Sequence, residues 1–283
     1  MSIVGDGGGA QAVALAVSCE RNEARAYRSL FETAALPGFG VDDASGAVRL
    51  VAPAVRASVL CNRVIGWGTQ CVADEASLDH VMSTYLQRSQ GFAIEVASPA
   101  LGEAGHALLR ARRLRRVTSS QVLVLHLDAD GPAFASGPEP PGLSIRLAGP
   151  EHRPALARLC IENFGVSPEI GRLLERGTVA PEWRCWMAFD ADVPVGASLS
   201  RVDGDAMWSG WTSVTPSHRG RRLYEAFINR QLDDARAAGC RFVSTDTARS
   251  TPAHPDPAYR KLRAIGYSDA YLRQTWVWAP PRA

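Results

Sequence analysis

Apolar positions in the second half of the chain switch period in a regular order. LSIRLA (143–148) alternates and predicts a strand. PEHRPALARLCIENF (150–164) carries leucines on one helical face behind Pro150, so it predicts a helix. SPEIGRLLERG (167–177) predicts a second helix, with Ser167 placed to cap it and Gly177 to end it. RCWMAFD (184–190) and VGASLSRVDG (195–204) flank the turn ADVP and predict a hairpin. AMWSGWTSV (206–214) is the next strand, and LYEAFINRQLDDARAAG (223–239) is a long amphipathic helix closed by glycine. CRFVSTDT (240–247), DPAYRKLRAIG (256–266) and AYLRQTWVW (270–278) complete the half as strand, short helix and strand. Alternation along the 206–214 strand sets Trp208 and Trp211 on opposite faces.

The first half repeats the end of that order. ASVLCNRVIGWG (57–68) predicts a strand, SLDHVMSTYLQRSQ (77–90) a helix and FAIEVAS (92–98) a strand. LGEAGHALLRARRLRRV (101–117) predicts a helix and SQVLVLHLD (120–128) a closing strand. A β-α-β-α-β run at each end implies an internal duplication, carried by element order rather than by matching residues. Between the copies, DADGPAFASGPEPPG (128–142) is punctuated by Pro and Gly and keeps no period. The expected organisation is therefore a mobile tail at 1–14, a first domain at 15–128, a linker at 129–141 and a second domain at 142–283.

Bulk composition narrows the classes. A chain of 283 residues with 46% hydrophobic content can form two cores. Its net charge of +2 gives no reason to expect a nucleic-acid surface. Lys261 is the single lysine, a bias attributed to genome composition. The six cysteines form no C-x-x-C pair and no metal spacing with histidine, so they read as reduced thiols of a cytoplasmic protein with no metal. The N-terminal apolar run lacks a basic flank, and no stretch reaches membrane-spanning length, so neither a signal peptide nor a membrane anchor is expected. No G-x-S-x-G elbow and no phosphate loop ending in G-K-[ST] occurs, and VGDGGG lies too near the start to follow a nucleotide-binding strand.

The stretch SVTPSHRGRRLYEAF (213–227) leaves a strand, turns through Pro216, crosses an arginine-rich loop with one glycine and enters a helix. The first turn of a helix offers unpartnered N–H groups and a partial positive charge, which together hold a diphosphate. Arg219, Arg221 and Arg222 add forked cationic donors, and Gly220 lets the backbone approach. The run V-x-P-x-x-R-G-x-x-L (214–223) resembles motif A of the GNAT acyltransferase superfamily, and the helix ending IGY (265–267) resembles its motif B. The resemblance covers about residues 142–279. It implies an α/β fold with a mixed sheet, two GNAT-like domains in tandem and a degenerate N-terminal one. The chain departs from the superfamily pattern at two small positions, filled here by Arg222 and Tyr224. The corresponding first-half stretch, GTQCVADEASLD (68–79), is acidic, and no coenzyme A is expected there.

The resemblance implies a cofactor site at Thr212, Ser213, Val214, Arg219, Gly220, Arg221, Arg222, Leu223 and Tyr224. It implies that the strand at 211–214 splays from its neighbour to pair with the pantetheine arm, and that a backbone N–H, assigned to Thr212, polarises the thioester. Tyr259 is the candidate acid for the leaving thiolate, since the superfamily's usual tyrosine position is Leu262 here. Asp246, near the end of its strand, is the candidate base, beside Asp203, Asp205 and Glu182, and a water relay with catalysis by positioning is an equal alternative. The expected reaction is N-acetylation of a small-molecule amine by acetyl-CoA, with acceptor recognition in the loops around 165–180 and 247–257. Two alternatives stay open: a non-catalytic acyl-CoA or nucleotide-binding module, and a transferase using another donor such as aminoacyl-tRNA. A homodimer is also left open.

Overall fold

The computed structural model describes residues 7–127 and 140–280. Residues 1–6 of the expected tail and 129–139 of the expected linker lie outside the described residues. From Gly7 the tail gives way to a helix, α1 (Gly7–Ala34), for which the apolar pattern gave no warning. The hairpin β1 (Gly40–Ala44) and β2 (Ala47–Val51) was also unforeseen; Ser45 and Gly46 turn it with φ of 61° and 98°, the geometry of a tight two-residue turn.

Next come β3 (Arg63–Ile65), α2 (Glu75–Gln87), β4 (Phe92–Ala97), α3 (Glu103–Ala111) and β5 (Arg115–His126). The strand expected over 57–68 shrinks to β3, because the chain before it is coiled in turns pinned by the Asn62 amide. The helix expected over 101–117 stops early, because Arg113 takes a left-handed φ of 63° and turns the chain into β5. The second half follows expectation: β6 (Leu143–Leu147), α4 (Arg153–Phe164), α5 (Pro168–Gly177), β7 (Trp183–Asp190), β8 (Val193–Asp203), β9 (Ala206–Val214), α6 (Leu223–Ala237), β10 (Phe242–Ala248), α7 (Pro257–Ile265) and β11 (Ser268–Trp278).

All eleven strands form one sheet in the order β1-β2-β3-β4-β11-β5-β10-β9-β8-β7-β6. The duplication is visible in its symmetry. Each half has one parallel pair, β3 with β4 and β9 with β10, followed by a helix and an antiparallel strand. The closing strands are exchanged. β5 pairs with β10 of the other half, β11 pairs with β4 of the other half, and the two pair with each other.

Helices α1, α4 and α5 cover one face, packing Leu30, Phe31, Leu159 and Leu173 against Val48, Leu50, Met187 and Leu199. On the opposite face, α2 and α3 pack over the first half, and α6 and α7 over the second. Burial of each large apolar side chain in these layers contributes about 1.5–3 kcal/mol. The inward face of α1 is not purely apolar. Glu20 and Glu23 are buried there, paired by Arg273 from β11 at 2.8 and 2.5 Å. Glu23 also binds Arg63 from β3 at 3.1 Å.

Candidate functional site

Strands β9 and β10 run parallel only from Ala206–Phe242 to Trp208–Ser244; beyond that register both continue but no longer pair. A cleft therefore opens between Ser209–Val214 and Thr245–Ala248. On the other edge of β9, Leu199 pairs with Gly210 and Ala197 with Ser213, so Ser198 alone faces both Trp211 and Thr212. This is a β-bulge, and Trp211 sits in it with a left-handed φ of 53°. The extra residue reverses the facing of the strand beyond it. Trp208 and Trp211 consequently pack into the same core layer and not on opposite faces, a correction to simple alternation. A buried polar chain braces the bulge: Thr212 to Ser198 at 2.6 Å, Gln231 of α6 to Ser198 at 2.8 Å, and Ser209 to Gln231 at 2.7 Å.

At the end of β9 a cavity of about 470 Å³ lies against the start of α6. Pro216 starts one tight turn, Gly220 takes a φ of 80°, and Arg222 takes 61° just before the helix. Arg222 thus keeps the backbone shape that a glycine would hold there, but adds a side chain. No side chain caps α6, so its first-turn N–H groups remain available. Open space surrounds Gly220 where a Cβ would project. The buried Ser213 hydroxyl, on the cavity wall, has no hydrogen-bond partner among the described residues. These features fit an extended thiol arm ending in a diphosphate.

Thr212, Ser213, Val214, Arg219, Gly220, Arg222, Leu223 and Tyr224 all line this cavity. Arg219 is tied to the loop through the Val214 carbonyl at 3.2 Å. Arg221 does not join them; it donates to the Pro141 carbonyl at 2.7 Å. Tyr259 is also elsewhere. Its N–H is capped by Asp256, and its hydroxyl donates to Asp269 at 3.1 Å, while Ala258 and Lys261 of the same helix face the cavity. Leu262, one turn on, is fully buried. Several lining groups escaped the sequence reading. Lys261 bonds Glu225 at 3.0 Å, with its ammonium 5.4 Å from the centre of the Tyr224 ring. His218 contacts Asp190 at 3.0 Å. The Asp-Pro pair at 256–257, a helix-start signal, was the readable trace of this wall.

Asp246 lies two residues past the last β9–β10 pair, on the parted stretch of β10. It shares a face with Ser244, which holds Asn22 of α1 at 2.8 Å. Its side chain is 37% exposed and lies 3.7 Å from Arg273. Burial among protein groups raises its pKa first, and the Glu23 carboxylate raises it further, against the pull of Arg273 and Arg63. Glu95 on the same face is likewise raised by burial.

The equivalent place in the first half is differently furnished. β3 and β4 pair only through Arg63–Ala93 and Val64–Ile94. The N-terminus of α2 is closed by Asp74, which accepts from the Ser77 N–H at 2.8 Å while Ser77 accepts from Asp74. The anionic cap takes the position that an anion would occupy.

Among the described residues, no helix is long and apolar enough to cross a membrane, and no group of three or more His, Cys, Asp or Glu side chains could hold a metal ion. All six cysteines are free; burial pushes the Cys19 thiol up to about 12.

No protein-family model matches the sequence, and no curated protein matches it in sequence. Solved structures do match in shape. A GCN5-related N-acetyltransferase from Sphaerobacter thermophilus aligns with a TM-score of 0.60 at 16% identity, over 94% of this chain and 94% of its own. One from Kribbella flavida aligns at 0.59 and 13% identity, over 94% and 96%. A tandem GNAT protein from the clavulanic acid biosynthesis pathway aligns at 0.58 and 18% identity, over 87% of this chain and 79% of its own.

Proposed function

We propose that this chain, which carries the GNAT fold twice in tandem, is an acyl-CoA-dependent N-acyltransferase that acetylates a small-molecule amine from a cofactor site in its second half. One observation carries the reading: an uncapped helix N-terminus with a Gly-Arg loop stands at the mouth of a cleft where bulged β9 parts from β10. Arg219, Arg222 and the first N–H groups of α6 hold the diphosphate. The parted edge of β9 pairs with the amides of the pantetheine arm, and Ser213 supplies a further hydroxyl.

Acetyl-CoA brings a thioester whose carbon is open to attack. The Thr212 N–H stabilises the carbonyl oxygen as negative charge develops on it. Asp246 accepts a proton from the amine nitrogen as the C–N bond forms, and its raised pKa suits it to that exchange. The C–S bond breaks with its electron pair on sulfur, and water returns a proton to the thiolate. The α1 face, where Asp246 stands, receives the acceptor. The N-terminal unit, with its own helix start sealed by Asp74, serves as wall and support.

A calorimetric titration with acetyl-CoA, free CoA and ADP tests the site. Micromolar binding that requires the diphosphate is expected. Arg219→Ala combined with Arg222→Ala should weaken it at least about ten-fold, ~1.4 kcal/mol, with the melting temperature unchanged. Equal affinity in that double variant would remove the assigned site.

A further inference from the structure

On the α1 face of the sheet lies a second cavity of about 670 Å³. Its floor is built by both halves: Arg63 of β3, Glu95 of β4, Arg273 and Thr275 of β11, and Asp246 of β10. Most of these charges satisfy one another. Arg273 is held by Glu20 and Glu23, Arg63 by Glu23 and Glu95, and Glu95 accepts from Thr275 at 3.0 Å. Three features are left over. Asp246 keeps about a third of its side chain open, at 37%. Arg63, whose relative exposure is only 6%, has an Nε with no hydrogen-bond partner among the described residues. At the rim, Arg116 and Arg249 are exposed and make no ion pair among the described residues.

The geometry separates the charges. Asp246 is opposite Val122, and Ala248, the last residue of the strand, is opposite Ser120, so Arg249 follows the strand end, about 10 Å of extended chain from Asp246. Arg116 stands further out along β5, where a bulge at Val117 pairs it with Trp276, and it still borders the cavity at its outer end. A ligand with its nitrogen at Asp246 therefore points its far end at two uncommitted guanidinium groups. Each is a fork suited to a carboxylate or a phosphate.

We propose that the acyl acceptor is an anionic amine, bound in this inter-half cavity with its amine at Asp246 and its carboxylate or phosphate between Arg249 and Arg116. The proposal rests on the acyltransferase reading above. Polyamines and other purely cationic acceptors are disfavoured by the rim charge.

The test uses the full chain, with acetyl-transfer rates and calorimetric binding in the presence of free CoA. The probes are L-glutamate and glycyl-L-aspartate as carboxylates, phosphoethanolamine and glucosamine 6-phosphate as phosphates, and spermidine and tryptamine as non-anionic amines. At least one anionic class should bind or react at least ten-fold better than the non-anionic amines, and the preferred arm identifies the anion. Arg249→Ala with Arg116→Ala should weaken that acceptor ten-fold or more while leaving acetyl-CoA affinity unchanged. Charge reversal, Arg249→Glu with Arg116→Glu, should move the preference towards spermidine. Preference for spermidine or tryptamine in the parent chain overturns the proposal. So does an unchanged acceptor affinity in the double alanine variant, or no anionic amine bound at millimolar concentration. The two readings fail separately. Acetyl-CoA binding with turnover of a non-anionic amine keeps the acyltransferase and sinks the cavity assignment. An anionic amine bound in the cavity without acetyl-CoA binding keeps the cavity and sinks the acyltransferase.

Discussion

Asp246 combines two demands that oppose each other. As the base we propose it to be, it must lose its proton, yet its surroundings favour the protonated form, first through burial among protein groups and then through Glu23. Activity should therefore rise with pH through a titration displaced above the ordinary aspartate range, and Asp246→Asn should abolish that limb and lower kcat with acetyl-CoA affinity intact. The stability sign follows from the same shift. A carboxyl whose pKa is raised on folding binds its proton more tightly in the folded state, so ionising it costs stability as pH rises past the unfolded value. The asparagine variant, which never ionises, should consequently melt higher than the parent at neutral pH and lose its advantage in acid. A pH–rate profile beside a pH–melting series checks both. Activity unchanged in the variant would release Asp246 from the reaction. Tyr259 carries no comparable load: its hydroxyl is engaged with Asp269, away from the cavity.

Among the elements, α1 is the one whose loss reaches furthest. It joins the α1 face to β11 through Arg273, which is only 3% exposed, and Tyr271 adds a bond to Glu20 at 2.6 Å. Arg273→Met would leave Glu20 and Glu23 buried with less compensation, and a loss of about 3–5 kcal/mol is expected from urea unfolding. A loss under about 1 kcal/mol would mean that the carboxylates are not held as charges. This helix was illegible in the sequence for the same reason that it matters. Its inward face includes Glu20, Asn22 and Glu23, so no clean apolar stripe marks it. By contrast α6, α7 and the β7–β8 hairpin were legible, since their apolar periods are unbroken and Pro or Gly marks their ends. The Gly-Arg loop was legible as a turn between a strand and a helix start, marked by Pro216 and Gly220. The bulge was not: a tryptophan in left-handed geometry leaves no local signature, and it silently reversed the facing of Trp211. Nor could the rim arginines be tied to Asp246, because β5 and β10 belong to different halves and meet only in the sheet.

At the scale of the whole molecule, the duplicated units are not independent bodies. A boundary drawn between 128 and 142 separates them in sequence, but the sheet runs unbroken from β1 to β6 across both. Residues 140–283 expressed alone would lack β5, the strand that separates β10 from β11, and should be unfolded or aggregated. Co-expression with residues 1–139 should restore a soluble complex, and the intact chain should melt in a single transition. Two separated transitions would overturn this view. The exchange of β5 and β11 also orders events on the ribosome. When the first half emerges, the place between β4 and β5 is vacant, and it stays so until all of β6 to β10 has been made. The nascent first unit must wait with three unsatisfied strand edges, one on Phe92–Ala97 and both of Arg115–His126, exposed to other chains. The arginines and polar residues at the start of β5, RRVTSSQ, are suited to that interval, since they keep a waiting edge soluble until β11 arrives.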